Sequence, residues 1–270
     1  MSTRRVEKLN VGEVTVFDLD GIRIHSYDTK DPLDDQAIII ENIETRDAFA
    51  IEHPGFDESI TELTEYIRMN GIRLAAQLLA YHGGGNRFMP NVEKMMTQGA
   101  LDFTNIGAGR AMVKKFSGTF GKTFDGGPCT TDTIIGGGPL EIAGIRVIIN
   151  PDQEAYEIEI PTARAAYVHM IGHDCHSIVG GPDHADIIIS NLQRYLDRGY
   201  ELFLTSHYRP ETREDVMTKI AYISRLRDIA SGSRSSDEFI GTMISEFPDY
   251  SGKNYLEMTA DAFFPQQPLR

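Results

Sequence analysis

Short apolar runs alternate with polar turns along the first fifty residues of the chain. The runs cover residues 14–19, 22–27, 37–41 and 48–52, and Gly, Asp-Pro and charged residues separate them. Runs of β-branched and aromatic residues between turn residues are typical of strands. The pattern therefore predicts a β meander at the start of the chain.

The spacing of apolar residues then changes from that of a strand to that of a helix. Ile60, Leu63 and Ile67 recur at helical intervals after Asp57, which can cap a helix, and Gly71 follows as a stop. One amphipathic helix is predicted here. An apolar strand over residues 74–81 comes next and leads into the loop His-Gly-Gly-Gly-Asn at residues 82–86.

The second half of the chain repeats this order. Short helices are predicted at residues 90–99 and 109–116. The strands predicted after them cover residues 133–135, 140–142, 145–149, 156–160 and 165–171. A second helix after Asp183 leads to a strand at 202–205 and to Ser206-His207. An order of strands, helix, strand and loop that occurs twice predicts two sheets packed face to face with helices outside them, an α/β fold.

Beyond residue 210 the chain is predicted to be helical, at residues 211–230, 236–247 and 252–264. We therefore expect a sandwich domain at 1–210 and a helical C-terminal extension at 211–270. The extension carries apolar stripes that a finished sandwich does not need, and they predict a homodimer or a larger closed oligomer. The stripe residues are Met217, Ile220, Ile223, Phe239, Met243 and Phe247.

Charge narrows the range of partners. The 270 residues include 26 Lys and Arg against 40 Asp and Glu, a formal net charge of −14. Nucleic acids and anionic membrane surfaces need cationic patches, so neither is an expected partner. The N-terminus has charges where a signal peptide is apolar, and the apolar runs are too short to span a bilayer, which predicts a cytoplasmic protein. Two cysteines exclude a disulfide scaffold.

Residues 37–85 resemble the opening of a metallo-β-lactamase-fold hydrolase. The resemblance rests on a strand pair, Glu52-His53-Pro54-Gly55, a helix, a second strand and a Gly-rich loop. Downstream, residues 145–151, 165–174 and 205–207 resemble the later ligand-bearing strands of that family, so the resemblance covers about residues 14–210. It implies a four-layer αββα sandwich. His173-Asp174-Cys175 and residues 206–210 are most similar to the alkylsulfatase branch.

The zinc motif of that family, His-x-His-x-Asp-His, is missing from this chain. Tyr81, Gly83, Gly85 and Asn86 stand at its four ligand positions. Only Asp174 (or His173) and His207 remain where the family has ligands. Zinc needs three or four protein ligands, so the binuclear site is expected to be lost and no cofactor is expected.

Histidines nevertheless follow several predicted strand ends. His53, His82, His173, His176 and His207 do so, and in the resembled fold these ends share one edge. One interpretation is a displaced site, made by His82, His173, Asp174 and His207, that binds a divalent metal such as zinc or iron weakly. The other keeps a pocket without metal, in which Asp174 orients His207 as a general base.

We therefore expect a hydrolase-like enzyme for a small metabolite: an ester, lactone, thioester or sulfate ester. Its catalytic residues are predicted to be His207, Asp174 and His82. Substrate contacts are expected from the loop and its neighbours, because glycines let backbone N–H groups approach an anion and tyrosines can donate to an oxyanion. These residues are Tyr81, Gly83, Gly84, Gly85, Asn86, His53 and Tyr208. The alternative is a binding or scaffold protein that keeps the fold without catalysis.

Overall fold

The computed structural model describes residues 3–82, 84 and 86–265. The strands in this part of the chain are β1 (Thr3–Lys8), β2 (Glu13–Leu19), β3 (Ile22–Asp28), β4 (Gln36–Asn42), β5 (Asp47–Ile51), β6 (Arg73–Leu78), β7 (Glu93–Met96), β8 (Thr133–Ile134), β9 (Gly138–Ile142), β10 (Ile145–Pro151), β11 (Tyr156–Ile160), β12 (Ala165–Tyr167), β13 (Leu202–Leu204) and β14 (Glu211–Thr212). The helices are α1 (Asp57–Met69), α2 (Gln98–Asn105), α3 (Ala108–Phe120), α4 (Pro182–Asp197), α5 (Arg213–Gly232), α6 (Ser236–Glu246) and α7 (Lys253–Phe263).

The chain forms two compact units. The first contains the described residues up to His169 and also Leu204–Arg209, and the second contains Met170–Phe203 and the described residues from Pro210 onward. This division differs from the predicted limits at 210 and 211. The reason is that α4 packs with α5 and shares an apolar core with the C-terminal helices.

The first unit holds an eight-stranded sheet in which β1 to β8 are neighbours in chain order. Pairing is antiparallel from β1 to β5 and parallel from β5 to β8. The change of direction follows from α1, because a crossover helix between β5 and β6 makes the two strands parallel. The carboxyl ends of β5 and β6 therefore lie at the same edge, and Glu52 and His82 follow those ends.

Helix α1 covers one face of this sheet. It buries Ile60, Leu63, Tyr66 and Ile67, which join one apolar cluster with residues of β2, β4 and β5. Asp57 and Glu58 occupy its first turn, where negative charge favours a helix N-terminus. The predicted meander and the predicted helix after it are both confirmed in the structure.

One prediction for this sheet is wrong, and one strand was not predicted. Residues 90–99 were expected to be helical, but Glu93–Met96 form β7, which lies between β6 and β8. Lys94 and Met96 are buried, whereas Glu93 and Met95 are not, and this alternation is that of a strand. Pairing with β6 and β8 therefore overrides the helix preference of Glu, Lys and Met. Strand β1, at the other edge, was not predicted because its sequence is mostly charged.

The second sheet of the first unit is antiparallel in the order β9, β10, β11, β12. Strand β12 ends at Tyr167, and the next residue, Val168, donates its N–H to the carbonyl of Leu204 at 2.9 Å. The chain near His169 therefore runs beside the segment that carries His207. Thr205 Oγ1 and Ser206 N also donate to the His169 carbonyl, at 2.8 and 3.1 Å.

The second unit is a helical cluster around its own apolar core. Ile223, Phe239 and Met243 are fully buried there. Of the stripe that predicts a homodimer, Met217 is a well-exposed member, at 54%. The homodimer stays a prediction. In the part of the chain that the structure describes, no helix is long and apolar enough to cross a lipid bilayer.

Candidate functional site

Three histidines meet at one edge of the first unit. His82, His169 and His207 each offer a ring nitrogen, and these nitrogens all lie within 4.8 Å of one another. His82 follows β6, while His169 and His207 lie on adjacent segments after β12 and after Leu204. Residues far apart in the sequence thus converge on one point.

The hydrogen bonds of His207 define its tautomer. Its Nδ1 lies 3.2 Å from the carbonyl oxygen of Leu33 and 3.4 Å from Asp35 Oδ1. A carbonyl oxygen only accepts, so Nδ1 carries the hydrogen and Nε2 keeps its lone pair. That Nε2 lies 3.4 Å from Nε2 of His82. Two imidazole nitrogens therefore face each other at the centre of the group.

Burial disfavours the charged form of His207 and His169. Loss of solvent lowers the pKa of His207 to about 3, with a further contribution from the nearby His82. Burial also lowers the pKa of His169 well below its usual range. Neutral imidazoles are the form that binds metal ions. The side chains of His82 and His207 retain 14% and 13% exposure, so the site can be reached from solvent.

Asp35 is the carboxylate beside these rings. Its Oδ1 lies 3.4 Å from His207 Nδ1 and 3.9 Å from His82 Nε2. Burial raises the pKa of this carboxyl to about 7. Asp35 is held by backbone, since Thr29 donates its N–H and its hydroxyl to the Asp35 carbonyl at 3.1 and 2.9 Å. The arrangement orients the His207 ring.

Tyr81 and His169 form a stacked pair. Their ring centroids are 4.1 Å apart and their planes differ by 12°. The Tyr81 hydroxyl donates to Asp152, which fixes the ring over His169. Nδ1 of His169 and Nδ1 of His82 are buried and make no hydrogen bond in the described structure. Each of these rings therefore has a nitrogen that no protein group satisfies.

These residues fit a divalent transition metal. Two nitrogen ligands placed tetrahedrally around zinc at about 2.0–2.1 Å are about 3.3–3.4 Å apart, and the two Nε2 atoms are 3.4 Å apart. Three protein ligands with one open position are the usual set of a catalytic zinc site. A ligand set of neutral imidazoles also suits iron, nickel or copper better than magnesium or calcium.

The predicted ligands His173 and Asp174 lie in the second unit, in a different group. There His173, Asp174 and Glu211 have ligand atoms within 4.8 Å of one another. His173 Nδ1 lies 2.7 Å from Glu211 Oε2, and its backbone N–H donates to Oε1 at 3.2 Å. In the described structure, the partners of the two His207 ring nitrogens are Leu33, Asp35 and His82. The pairing of His207 with Asp174 therefore stays a prediction.

Among the residues predicted to bind substrate, Asn86 and Tyr208 make hydrogen bonds within the protein. Gly83 and Gly85 lie outside the described residues. Asn86 accepts from the N–H and hydroxyl of Thr130 at 3.2 and 3.1 Å, so it holds its own loop. Tyr208 donates its N–H to the Asp34 carbonyl at 3.0 Å. Their substrate roles stay predictions.

Gly84, which lies within this loop, and His53 are both buried. A Cβ on Gly84 would overlap the Asp125 carbonyl oxygen, so the backbone packs closely there. His53 is 2% exposed, its ring nitrogens make no hydrogen bond in the described structure, and burial lowers its pKa to about 4. Neither observation tests the predicted contact with substrate.

Sequence reasoning missed His169 and Asp35. The apolar pattern predicts a strand over residues 165–171 that contains His169, whereas β12 ends at Tyr167. A polar ring between Val168 and Met170 is the available signal for an earlier strand end. Asp35 stands in the sequence only as part of a turn between strands. No local pattern marks it as a neighbour of His207.

Comparisons with known proteins agree with this architecture. No family model matches the sequence, and no curated protein matches it. Among solved structures, a metallo-β-lactamase family protein from Thermus thermophilus is similar at a TM-score of 0.63 and 14% identity, over 91% of this chain and 92% of that one.

Two further structures are similar in the same way. A stereoselective inverting sec-alkylsulfatase from a Pseudomonas species matches at a TM-score of 0.64 and 15% identity, over 91% of this chain and 50% of that chain. A metallo-β-lactamase from Erythrobacter litoralis matches at 0.53 and 11%, over 82% of this chain and 100% of that one. At these identities the likeness shows the fold and not the activity. The chain therefore has the predicted fold, the αββα sandwich of the metallo-β-lactamases, with a helical C-terminal extension.

Proposed function

We propose that this chain is a metal-dependent hydrolase for a small ester-type metabolite, and that His82, His169 and His207 hold the metal. The observation that carries the proposal is the convergence of three imidazoles whose ring nitrogens lie within 4.8 Å. The His169 ring in addition has a buried Nδ1 without a hydrogen-bond partner in the described structure. This ligand set replaces the sequence-based alternative that used His173 and Asp174.

A divalent metal bound there would supply a Lewis acid for a carbonyl or sulfuryl oxygen and would favour an ionised water. The protein supplies orientation. The Leu33 carbonyl and Asp35 hold the Nδ1 hydrogen of His207, which directs Nε2 toward His82. Tyr81 covers one face of His169 and limits rotation of that ring. Partners of this kind fix ligand geometry in metalloenzymes.

The substrate is proposed to be an ester, lactone, thioester or sulfate ester. All four present an electrophilic centre with an oxygen that a cation can polarise. The fold supports hydrolysis only by analogy, and the site supports it by its chemistry. The similar sec-alkylsulfatase is a reason to include sulfate esters in a screen.

Metal content is the first test. Protein purified without a metal-binding tag and dialysed against zinc is expected to retain about one zinc per chain, and His169→Ala is expected to retain well below one. His184→Ala is the matched control, because His184 is an exposed histidine outside the three-histidine group. A zinc content that stays below one tenth in the wild type would refute the proposal.

Turnover is the second test. The zinc-loaded protein is assayed against nitrophenyl esters, a thioester, a lactone and a nitrophenyl sulfate. Hydrolysis that His207→Ala abolishes and His184→Ala leaves intact supports the enzyme. Stoichiometric zinc with no hydrolysis on any of the four classes would support the binding protein instead.

A further inference from the structure

Glu52 is a fully buried carboxylate next to the three-histidine group. It follows β5, has no exposed surface, and its backbone is in the left-handed region at φ 57°. Residues other than glycine seldom adopt this conformation, and it clusters at functional sites. The backbone is nevertheless well fixed, because Glu52 donates its N–H to the Leu78 carbonyl at 3.0 Å.

One set of contacts joins Glu52 to the segment that carries His82. Tyr81 N–H donates to Glu52 Oε1 at 2.7 Å, while His82 N–H and Ala80 N–H donate to Oε2 at 3.3 and 3.4 Å. These three N–H groups belong to the turn that follows β6. The carboxylate therefore fixes the point at which His82 leaves the sheet.

A second set of contacts reaches the segments of His169 and His207. The Tyr167 hydroxyl donates to Glu52 Oε1 at 2.7 Å and lies 2.5 Å from Ser206 Oγ. A phenol has one hydrogen, so Ser206 is the donor in the second bond. Tyr167 is two residues before His169, and Ser206 immediately precedes His207.

All the donors that the structure shows on Glu52 are uncharged: three backbone N–H groups and a phenol. A buried carboxylate without a cationic partner is expensive to desolvate. An apolar residue could fill the same space at lower energetic cost, but it could not join the segments. We infer that Glu52 is the positioning residue of the three-histidine site, and that it sets the metal affinity by holding all three ligand segments in register. The inference rests on the metal site of the proposed function.

The two carboxylate oxygens make the inference testable by substitution. Oε1 accepts two short bonds, so the amide oxygen of Glu52→Gln is expected to take that place. The amide NH₂ then meets the N–H groups of Ala80 and His82, donor against donor, and displaces the His82 segment. Tyr167→Phe removes the hydroxyl that joins Glu52 to Ser206, and with it both of these hydrogen bonds, but keeps the ring and the three backbone bonds to Glu52. The matched control is Tyr156→Phe, since Tyr156 is equally buried but directs its hydroxyl to the Met95 carbonyl.

The experiment is a Co²⁺ titration of the metal-free proteins, followed by visible absorption, with the affinity measured by competition against a chelating dye. Circular dichroism first confirms that each variant is folded. Partners that orient a metal ligand typically contribute about 10–100-fold in affinity. We expect a loss in that range for Glu52→Gln and of about tenfold for Tyr167→Phe, with altered visible bands in both.

The control Tyr156→Phe is expected to bind Co²⁺ within about twofold of the wild type, with unchanged bands. Wild-type affinity and bands in both Glu52→Gln and Tyr167→Phe would overturn the inference while the metal site stands. If Glu52→Gln does not fold, Tyr167→Phe decides. Failure of the wild-type protein to take up Co²⁺ would instead refute the proposed function, and the inference with it.

Discussion

Replacing His169 by Phe should separate the proposed ligand set from the sequence-based one. Phe keeps the stack on Tyr81, whose ring is 4.1 Å away. It also removes a buried Nδ1 that has no hydrogen-bond partner in the described structure. An unsatisfied buried polar group costs about 1–3 kcal/mol, so the metal-free variant is expected to be about as stable as the wild type or about 1 kcal/mol more stable.

The stabilisation of the protein by zinc, in contrast, should be much smaller in His169→Phe than in the wild type. At a zinc concentration of about 100 times Kd, binding stabilises the folded state by about 2.7 kcal/mol. For a unit of about 150–250 residues this raises Tm by about 5–10 °C. Loss of one of three ligands is expected to weaken binding about 100-fold, which leaves about 0.4 kcal/mol and a shift of about 1 °C at the same zinc concentration.

His173→Phe is the matched comparison. His173 Nδ1 pairs with Glu211, which is 1% exposed, so this variant leaves a buried carboxylate without its ring partner. We expect a loss of about 1–3 kcal/mol in stability and a full zinc response. Differential scanning fluorimetry with and without zinc measures both quantities. A full zinc shift in His169→Phe, or its loss in His173→Phe, would refute the assignment.

Three other outcomes follow from the structure. Burial lowers the pKa of His53 to about 4 and lowers that of His25 in the same direction, so the unfolded chain binds protons first as pH falls. Stability should therefore drop between about pH 6.5 and 4, by roughly 1.4 kcal/mol per pH unit for His53, with urea midpoints at pH 7 and 5 as the measurement. Gly84→Ala should destabilise by at least about 1 kcal/mol in chemical denaturation, because φ is 99° and a Cβ would meet the Asp125 carbonyl; wild-type stability would show that the loop relaxes freely. Light scattering should give twice the 30.1 kDa chain mass, and a monomer at micromolar concentration would reject the homodimer.

Hydrophobic periodicity predicted most of the fold because the elements are locally consistent. The strands β2 to β5 and helix α1 follow from alternation and from helical spacing. The helix prediction for residues 90–99 was wrong because pairing with the two neighbouring strands, β6 and β8, decides the structure of β7. A single sequence does not show which strands will lie beside a segment.

The site was predictable only in part. His82 and His207 were found because each follows a predicted strand, and the structure brings their Nε2 atoms to 3.4 Å. His169 was missed because the strand that contains it ends earlier than its apolar pattern predicts. Asp35 and Glu52 act through contacts that depend on the packing of distant segments, since Glu52 and Tyr167 are 115 positions apart. Local sequence patterns carry no information of that kind.

The first unit is discontinuous in the chain, and this affects how it is made. Its last segment, Leu204–Arg209, is synthesised after 34 residues, Met170–Phe203, that belong to the second unit. Translation at about 5–20 residues per second therefore separates His169 from His207 by seconds. During that interval the emerging chain has His82 and His169 but not His207, and Val168 lacks the Leu204 carbonyl to which its N–H donates. If the three histidines hold a metal as proposed, a nascent chain arrested before residue 204 should be unable to retain zinc, and metal capture would then mark the completion of the first unit and not its beginning.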